Sequence, residues 1–253
     1  MAAQSRSVSV SNEMPQDPVV AYDRIAPVFA RLAEQRKQYL DRIDQLVLSE
    51  MPPCSRSMLD VGSGDGSRAS RIAGTRGIAD LVLLEPSLAM QGNNPANGTV
   101  WTMRAEELHS VQAEFDVITC LWNVLGHIFP ANARMEVLRQ FARLVSLKGM
   151  IFVDVNHRYN ARQYGMVRTA LRFLRDRLSW DEKNSDVRVT WNVGEMPCTT
   201  MGHVFSDKEF RALAHAAGLR IEQTFIVDYA TGDQRQRSWQ GNLLYILRPS
   251  VHT

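Results

Sequence analysis

Apolar positions change their period along this 253-residue chain, and each change marks an element. Between residues 18 and 50, Val20, Ile25, Val28, Leu32, Leu40, Ile43, Leu46 and Val47 recur at helical spacing with charges between them. Pro52 and Pro53 stop the run, which predicts one or two amphipathic helices. Beyond the prolines the pattern tightens into short apolar runs, each followed by a turn and a helical stretch. The run at 58–61 leads through a glycine-rich turn to a helix through Ala69 and Ile72; the run at 81–84 leads through Glu85 and Pro86 to a helix capped by Ser87 and including Met90. Further strands are read at 99–103 and 115–121, a helix at 135–145, and a turn at Lys148 and Gly149 that opens a fifth strand at 150–155. Near the C-terminus, 207–217 reads as a helix closed by Gly218, followed by strands at 219–227 and 242–247. Strands alternating with helices specify an α/β fold, a parallel doubly wound sheet of about seven strands.

The stretch 156–203 is far longer than the usual connection in such a sheet, so it is expected to be an inserted lid with its own structure. The expected division is a mobile tail at 1–17, a core at 18–155 and 204–253 that carries N-terminal cap helices, and the insertion between. The first half of the insertion, ARQYGMVRTALRFLRDRL, places Met166, Ala170, Phe173, Leu174 and Leu178 along one face, with Arg162, Arg168, Arg172, Arg175 and Arg177 largely around the rest. Those arginines read either as a cover that attracts an anionic acceptor or as a solvated face; Arg158, Tyr159, Tyr164, Trp180 and Trp191 join them as candidate acceptor contacts.

Composition narrows the class. With 45% hydrophobic and 22% charged residues, disordered and fibrous chains are excluded, and 29 basic against 27 acidic residues disfavour a dedicated nucleic-acid binder. Cys54, Cys120 and Cys198 stand far apart and in no CxxC pair, which indicates neither a disulfide framework nor a metal site and suits a reducing cytoplasm. The first 17 residues lack the apolar core of a signal peptide, and no stretch approaches the roughly 20 apolar residues of a membrane span. The tail, the N-terminal helices and the insertion could exchange between subunits, so a homodimer is compatible with the sequence.

The chemistry concentrates in LDVGSGDG, residues 59–66. Gly62, Gly64 and Gly66 let the backbone turn sharply and approach a ligand beside the N-terminus of the next helix. Ser67 occupies the position of the last glycine in a dinucleotide GxGxxG loop, which disfavours a pyrophosphate site. Glu85, nineteen residues after Gly66 at the end of the next strand, is placed to accept hydrogen bonds from two ribose hydroxyls. Arg104, Ala105 and Glu106 follow the third strand, and Cys120, Leu121, Trp122 and Asn123 end the fourth, so four successive strand ends carry ligand-type features.

In this combination, over residues 22–247, the sequence resembles the class I S-adenosylmethionine-dependent methyltransferases of the small-molecule branch. The resemblance implies a Rossmann-like, mostly parallel seven-stranded sheet with an antiparallel last strand and helices on both faces. It implies S-adenosyl-L-methionine as cofactor and S-adenosyl-L-homocysteine as product. By the same likeness, Asp60, Gly62, Ser63, Gly64 and Gly66 surround the methionine moiety, Glu85 holds the ribose, and Ala105 and Glu106 flank the adenine. Met90 or Pro86 supplies apolar contact to the base, and Cys120, Leu121 and Trp122 form the wall between cofactor and acceptor. Residues 21–40, AYDRIAPVFARLAEQRKQYL, are similar to helices in which an aromatic and a basic residue close over the cofactor; Tyr22 and Arg36 match them. LWNVLGHI, residues 121–128, is similar to a segment of enzymes that methylate small amines, though it recurs in other small-molecule enzymes. No Asn-Pro-Pro-Tyr or Asp-Pro-Pro-Tyr follows the fourth strand, which disfavours the amino-methylating nucleic-acid and protein-glutamine branches.

The expected activity is methyl transfer to a nitrogen or oxygen of a small molecule by in-line displacement. Methylation of RNA or a protein side chain, or cofactor binding without turnover, are the alternatives. An acceptor that arrives protonated needs a base, for which His127 is the first candidate and His157 the second. Both histidines also fit a bland role, bonded to a backbone carbonyl, and Glu106 also fits an acid favoured by a helix N-terminus.

Overall fold

The computed structural model describes residues 15–92, 98–179, 181–193 and 196–250. Three short helices open the chain, α1 (Pro18–Ile25), α2 (Phe29–Glu34) and α3 (Lys37–Glu50). Asp17 caps α1 through its carboxylate on the Val19 amide, and Pro18 sits at the first helical position, where no amide hydrogen is missed. Alternation then begins: β1 (Ser57–Val61), α4 (Ser67–Arg76), β2 (Asp80–Leu84), α5 (Leu88–Gln91), β3 (Thr99–Trp101), β4 (Phe115–Cys120), α6 (Ala131–Leu144) and β5 (Val145–Val155). Residues 156–203 contribute α7 (Ala161–Tyr164), α8 (Met166–Leu178) and the hairpin β6 (Asp186–Val193) and β7 (Met196–His203). The chain closes with α9 (Asp207–Ala216), β8 (Leu219–Val227), β9 (Gln234–Arg235) and β10 (Asn242–Pro249).

The main sheet has the order β3-β2-β1-β4-β5-β10-β8-β9. Pairing is parallel from β3 to β5, while β10 lies antiparallel between β5 and β8. Eight strands, against the seven expected, are present because β9 pairs with β8 at the edge. Its two residues are too few to leave an alternating signal in the sequence. One face of the sheet buries Leu59, Ile118 and Ile151 under Val137, Phe141 and Phe210; the other buries Met58, Leu83 and Phe152 under Ile43, Val47 and Ile72. From β1 the chain builds outward to β3, then returns to place β4 on the other side of β1. The ends of β1 and β4 are therefore the switch point at which such sheets open a crevice.

Gln16, assigned to the mobile tail by sequence, donates its amide to the Thr199 carbonyl of β7 at 2.9 Å; residues 1–14 of the expected tail lie outside the described residues. His203, fully buried, ties the hairpin to α9, its ring nitrogens 2.7 Å from Asp186 Oδ1 and from Glu209 Oε1. Arg158, with no exposure, reaches Asp176 of α8 through Nε (2.6 Å) and Nη2 (2.9 Å), and Tyr159 donates to the same carboxylate. Breaking a buried pair strands a charge, so Asp176→Ala is expected to cost about 3–5 kcal/mol in urea unfolding, and a loss under 1 kcal/mol would show that the pair does not hold α8. The pair also sets the helix's orientation: α8 buries Thr169 and Asp176, while Val167, Leu171, Leu174 and Leu178 are exposed.

Candidate functional site

The loop after β1 is docked on β2 by two hydrogen bonds, from the Gly62 and Ser63 amides to the Leu84 carbonyl (2.8 and 3.1 Å). Gly62 and Gly64 both take positive φ, +70° and +59°. A Cβ on Gly62 would stand 2.6 Å from the Val124 methyls, and one on Gly64 3.1 Å from Met90 Cε and 3.2 Å from Phe29 Cζ. Glycine is needed at both for conformation, and at Gly62 for space as well. Gly66, also at positive φ, is the residue from which α4 starts.

Glu85 closes the other side. Its carboxylate, 7% exposed, accepts the Gly64 amide at Oε2 and the Ser87 amide at Oε1, each at 2.9 Å. Burial lifts its pKa to about 7, against the lowering effect of those two amides. Asp60, at the end of β1, is raised to about 6, again by burial, although the Thr119 hydroxyl donates to it. Both carboxyls are more basic than in an unfolded chain, where such groups titrate near 4. Their contribution to stability is therefore full below that value and is lost as pH rises through about 6 for Asp60 and 7 for Glu85.

The wall after β4 is built from an unusual turn: Trp122 and Asn123 are consecutive non-glycine residues at φ 59° and 62°. Such strain persists only where surroundings impose it, and here β5 does so. Asp154 accepts the Trp122 amide (3.0 Å) and the Tyr39 hydroxyl, its carbonyl takes the Asn123 amide (3.0 Å), and the Asn123 side chain accepts from the Asn156 amide (2.9 Å). The indole is thereby set against Phe29, ring centroids 5.7 Å apart.

Two cavities meet at this wall, sharing Phe29, Gly62, Leu121 and Trp122. The smaller, about 120 Å³, combines Gly64, Glu85, Ala105 and Glu106 with an apolar shelf of Leu84, Pro86, Met90 and Ile128, and with Tyr22 and His127. The larger, about 280 Å³, is charged, with Glu34, Asp41, Asp60 and Asp65 against Lys37, Arg68 and Arg71, and is also lined by Ser63. Arg68 pairs with Asp44 through Nε, whereas its buried Nη2 has no hydrogen-bond partner among the described residues.

His127 has a defined tautomer. Nδ1 lies 3.0 Å from the Met201 carbonyl of β7, which can only accept, so Nδ1 carries the hydrogen and Nε2 keeps its lone pair. Nε2 is 3.5 Å from the Tyr22 hydroxyl, and burial lowers the ring's pKa, which keeps it neutral. Burial, with Glu85 nearby, pushes the Tyr22 hydroxyl up.

The cavities bring together most of the residues singled out by sequence: Tyr22, Asp60, Gly62, Ser63, Gly64, Glu85, Pro86, Met90, Ala105, Glu106, Leu121, Trp122 and His127. Gly66, Arg36, Cys120 and His157 line neither. Arg36 stacks over the Tyr229 ring at 4.7 Å, and Cys120 is fully buried, its thiol raised by burial. His157 is 2% exposed with Nδ1 2.8 Å from the Ser238 carbonyl, and burial depresses it to about 4. Of the insertion's aromatic and basic candidates, Arg158 and Tyr159 are engaged with Asp176, Tyr164 lies under Arg172 at 5.0 Å, Trp191 lines neither cavity, and Trp180 lies outside the described residues. Phe29, Val124, Arg68 and Asp154 are the site residues that sequence reasoning missed. Asp154 alone left a signal, a lone acid inside the apolar run 150–155.

The profile of a family described as a methyltransferase domain matches residues 30–224. No curated protein matches the sequence. Among solved structures, the chain is similar to the CcbJ methyltransferase of Streptomyces caelestis at 14% identity, covering 91% of this chain and 98% of that one with a TM-score of 0.66. A sugar N-methyltransferase from Streptoalloteichus matches at 16% identity over 98% and 99% of the two chains, TM-score 0.57. A SAM-bound amino pentose methyltransferase from Micromonospora echinaspora, involved in calicheamicin biosynthesis, matches at 13% identity over 94% and 98%, TM-score 0.54. At these identities the likeness is one of fold.

Proposed function

As this chain belongs to the methyltransferase-domain family, we propose that it transfers the methyl group of S-adenosyl-L-methionine to a nitrogen or oxygen of a small-molecule acceptor. The observation that carries this reading is the bare glycine backbone at Gly62 and Gly64 facing the buried Glu85 carboxylate. The two cavities fit the two halves of such a donor. Glu85 would take the ribose hydroxyls, Pro86, Met90 and Ala105 the adenine face with Glu106 at its edge, and Asp60 and Ser63 the amino-acid end. The orphaned Arg68 Nη2 in the charged cavity suits that end's carboxylate. Nitrogen acceptors are favoured by the sugar N-methyltransferase and amino pentose methyltransferase among the structural neighbours.

The bound donor supplies a sulfonium methyl that is already activated for displacement. The protein's work is then orientation, which for well-aligned pairs is worth up to about 7–11 kcal/mol, and proton removal from the acceptor. Phe29, Leu121 and Trp122 exclude water where the cavities meet, and His127 Nε2, neutral and unbonded except for the long Tyr22 contact, accepts the acceptor's proton. Cys54, Cys120 and Cys198 are free, which supports a cytoplasmic, reducing setting; among the described residues no helix is long and apolar enough to cross a membrane.

Calorimetric titration with S-adenosylmethionine and S-adenosylhomocysteine, with NAD as control, tests the reading. Micromolar binding of both sulfur compounds and none of NAD is expected; failure of both in folded protein would overturn it. The slope with pH is a further expected result. Ribose hydroxyls donate to the ionised carboxylate, so with Glu85 near 7 the affinity should be about tenfold weaker at pH 6 than at pH 8. Glu85→Gln should flatten that dependence, and an unchanged slope would remove Glu85 from the ribose site.

A further inference from the structure

Helix α8 is amphipathic with its faces reversed. At about 100° per residue, Met166, Val167, Leu171, Phe173, Leu174 and Leu178 fall within an arc of roughly 160°. That arc points away from the body: Val167 is 75% exposed and Leu178 87%. The face that packs is the polar one, with Thr169 and Asp176 buried and Arg172 Nη1 bonded to the Arg158 carbonyl. A helix rotated by half a turn would bury the apolar arc and solvate the rest, yet the Arg158–Asp176 pair and the Tyr159 hydroxyl fix the opposite orientation. Residues 1–14 hold Met1, Val8, Val10 and Met14 as their only large apolar residues.

The charges beside the arc choose the partner. Arg168 and Arg175 border it, and Arg177 lies within it at the last turn, with a stem long enough to lift its guanidinium clear of the apolar surface. The helix has one acid, Asp176, already engaged by Arg158. In an antiparallel two-fold pair of α8 helices the arginine flanks would meet on one side, which disfavours a second copy as the occupant. A broad apolar face edged by arginines, on a helix too short to span, matches an element lying in the interface of a bilayer.

The geometry points to α8 as a docking surface for anionic lipid membranes, held ready by the buried Arg158–Asp176 pair. Sedimentation of the full chain with phosphatidylglycerol–phosphatidylcholine vesicles and with phosphatidylcholine vesicles tests it. The expected result is binding to the anionic vesicles, at least tenfold weaker to the neutral ones and reversed by salt. Leu171→Glu with Leu174→Glu should abolish binding, and Arg168→Glu with Arg177→Glu should weaken it at least tenfold. All four positions are exposed, so the variants should keep the parent's melting temperature and S-adenosylmethionine affinity. No binding to anionic vesicles at low salt, or unchanged binding by the leucine variant, overturns the proposal. A wild-type dimer that the leucine variant dissociates, without vesicle binding, would assign the face to a second copy instead.

Discussion

Gly64→Val is expected to remove S-adenosylmethionine binding while leaving the chain folded. The atoms nearest the new Cβ are the ends of two side chains, Met90 and Phe29, at 3.1 Å and beyond, so the surrounding structure can yield. The positive φ of +59° penalises a branched residue by about 1–2 kcal/mol, which in a protein of this size lowers Tm by a few degrees. The ligand has no such freedom, because the added side chain would take up room in the cavity that Gly64 lines with Phe29, Glu85 and Met90. Affinity should fall at least a hundredfold by calorimetry, with Gly64→Ala between valine and the parent. Micromolar binding by the valine variant would mean that the cleft is not where the donor sits.

A second large effect belongs to the acceptor's side. His127→Ala should reduce kcat by about 10² to 10⁴ with the best substrate from a panel of small amines and phenols, while donor affinity stays within twofold. The ring's lone pair is available because the Met201 carbonyl consumes the other nitrogen's proton, and the pKa lowered by burial keeps the base free at neutral pH. At saturating S-adenosylmethionine, where the titration of Glu85 does not limit the rate, the parent's kcat should therefore fall on the acid side of pH 6.5, and that limb should vanish in the variant. Equal turnover by the two proteins would leave His127 as packing for the hairpin.

Much of this molecule is legible without coordinates. The glycine loop, Glu85 and the Ser87 cap were readable because each sits at the end of a short apolar run, where spacing alone fixes its place. The base candidates divide for a reason that no spacing reveals. His127 and His157 both follow strands, but one lines the cavity and the other is sealed against Ser238 by packing from β10 and the segment before it. Phe29 and Arg68 escaped because their roles depend on how the N-terminal helices fold back over the sheet, a long-range arrangement invisible to local periodicity. The orientation of α8 is the sharpest divergence: an apolar stripe on a helix ordinarily predicts the buried side, and here one buried ion pair outweighs it.

The Asp154 carboxylate joins Tyr39 and Trp122, which lie 115 and 32 positions away from it along the chain. Closing so long a loop is entropically slow, and contacts of that kind form after local ones. The wall of the cleft should thus be among the last features to assemble, well after β1, α4 and β2 have paired. A growing or N-terminally shortened chain can own a complete glycine loop and still have no finished pocket, so the capacity to bind would emerge late and all at once.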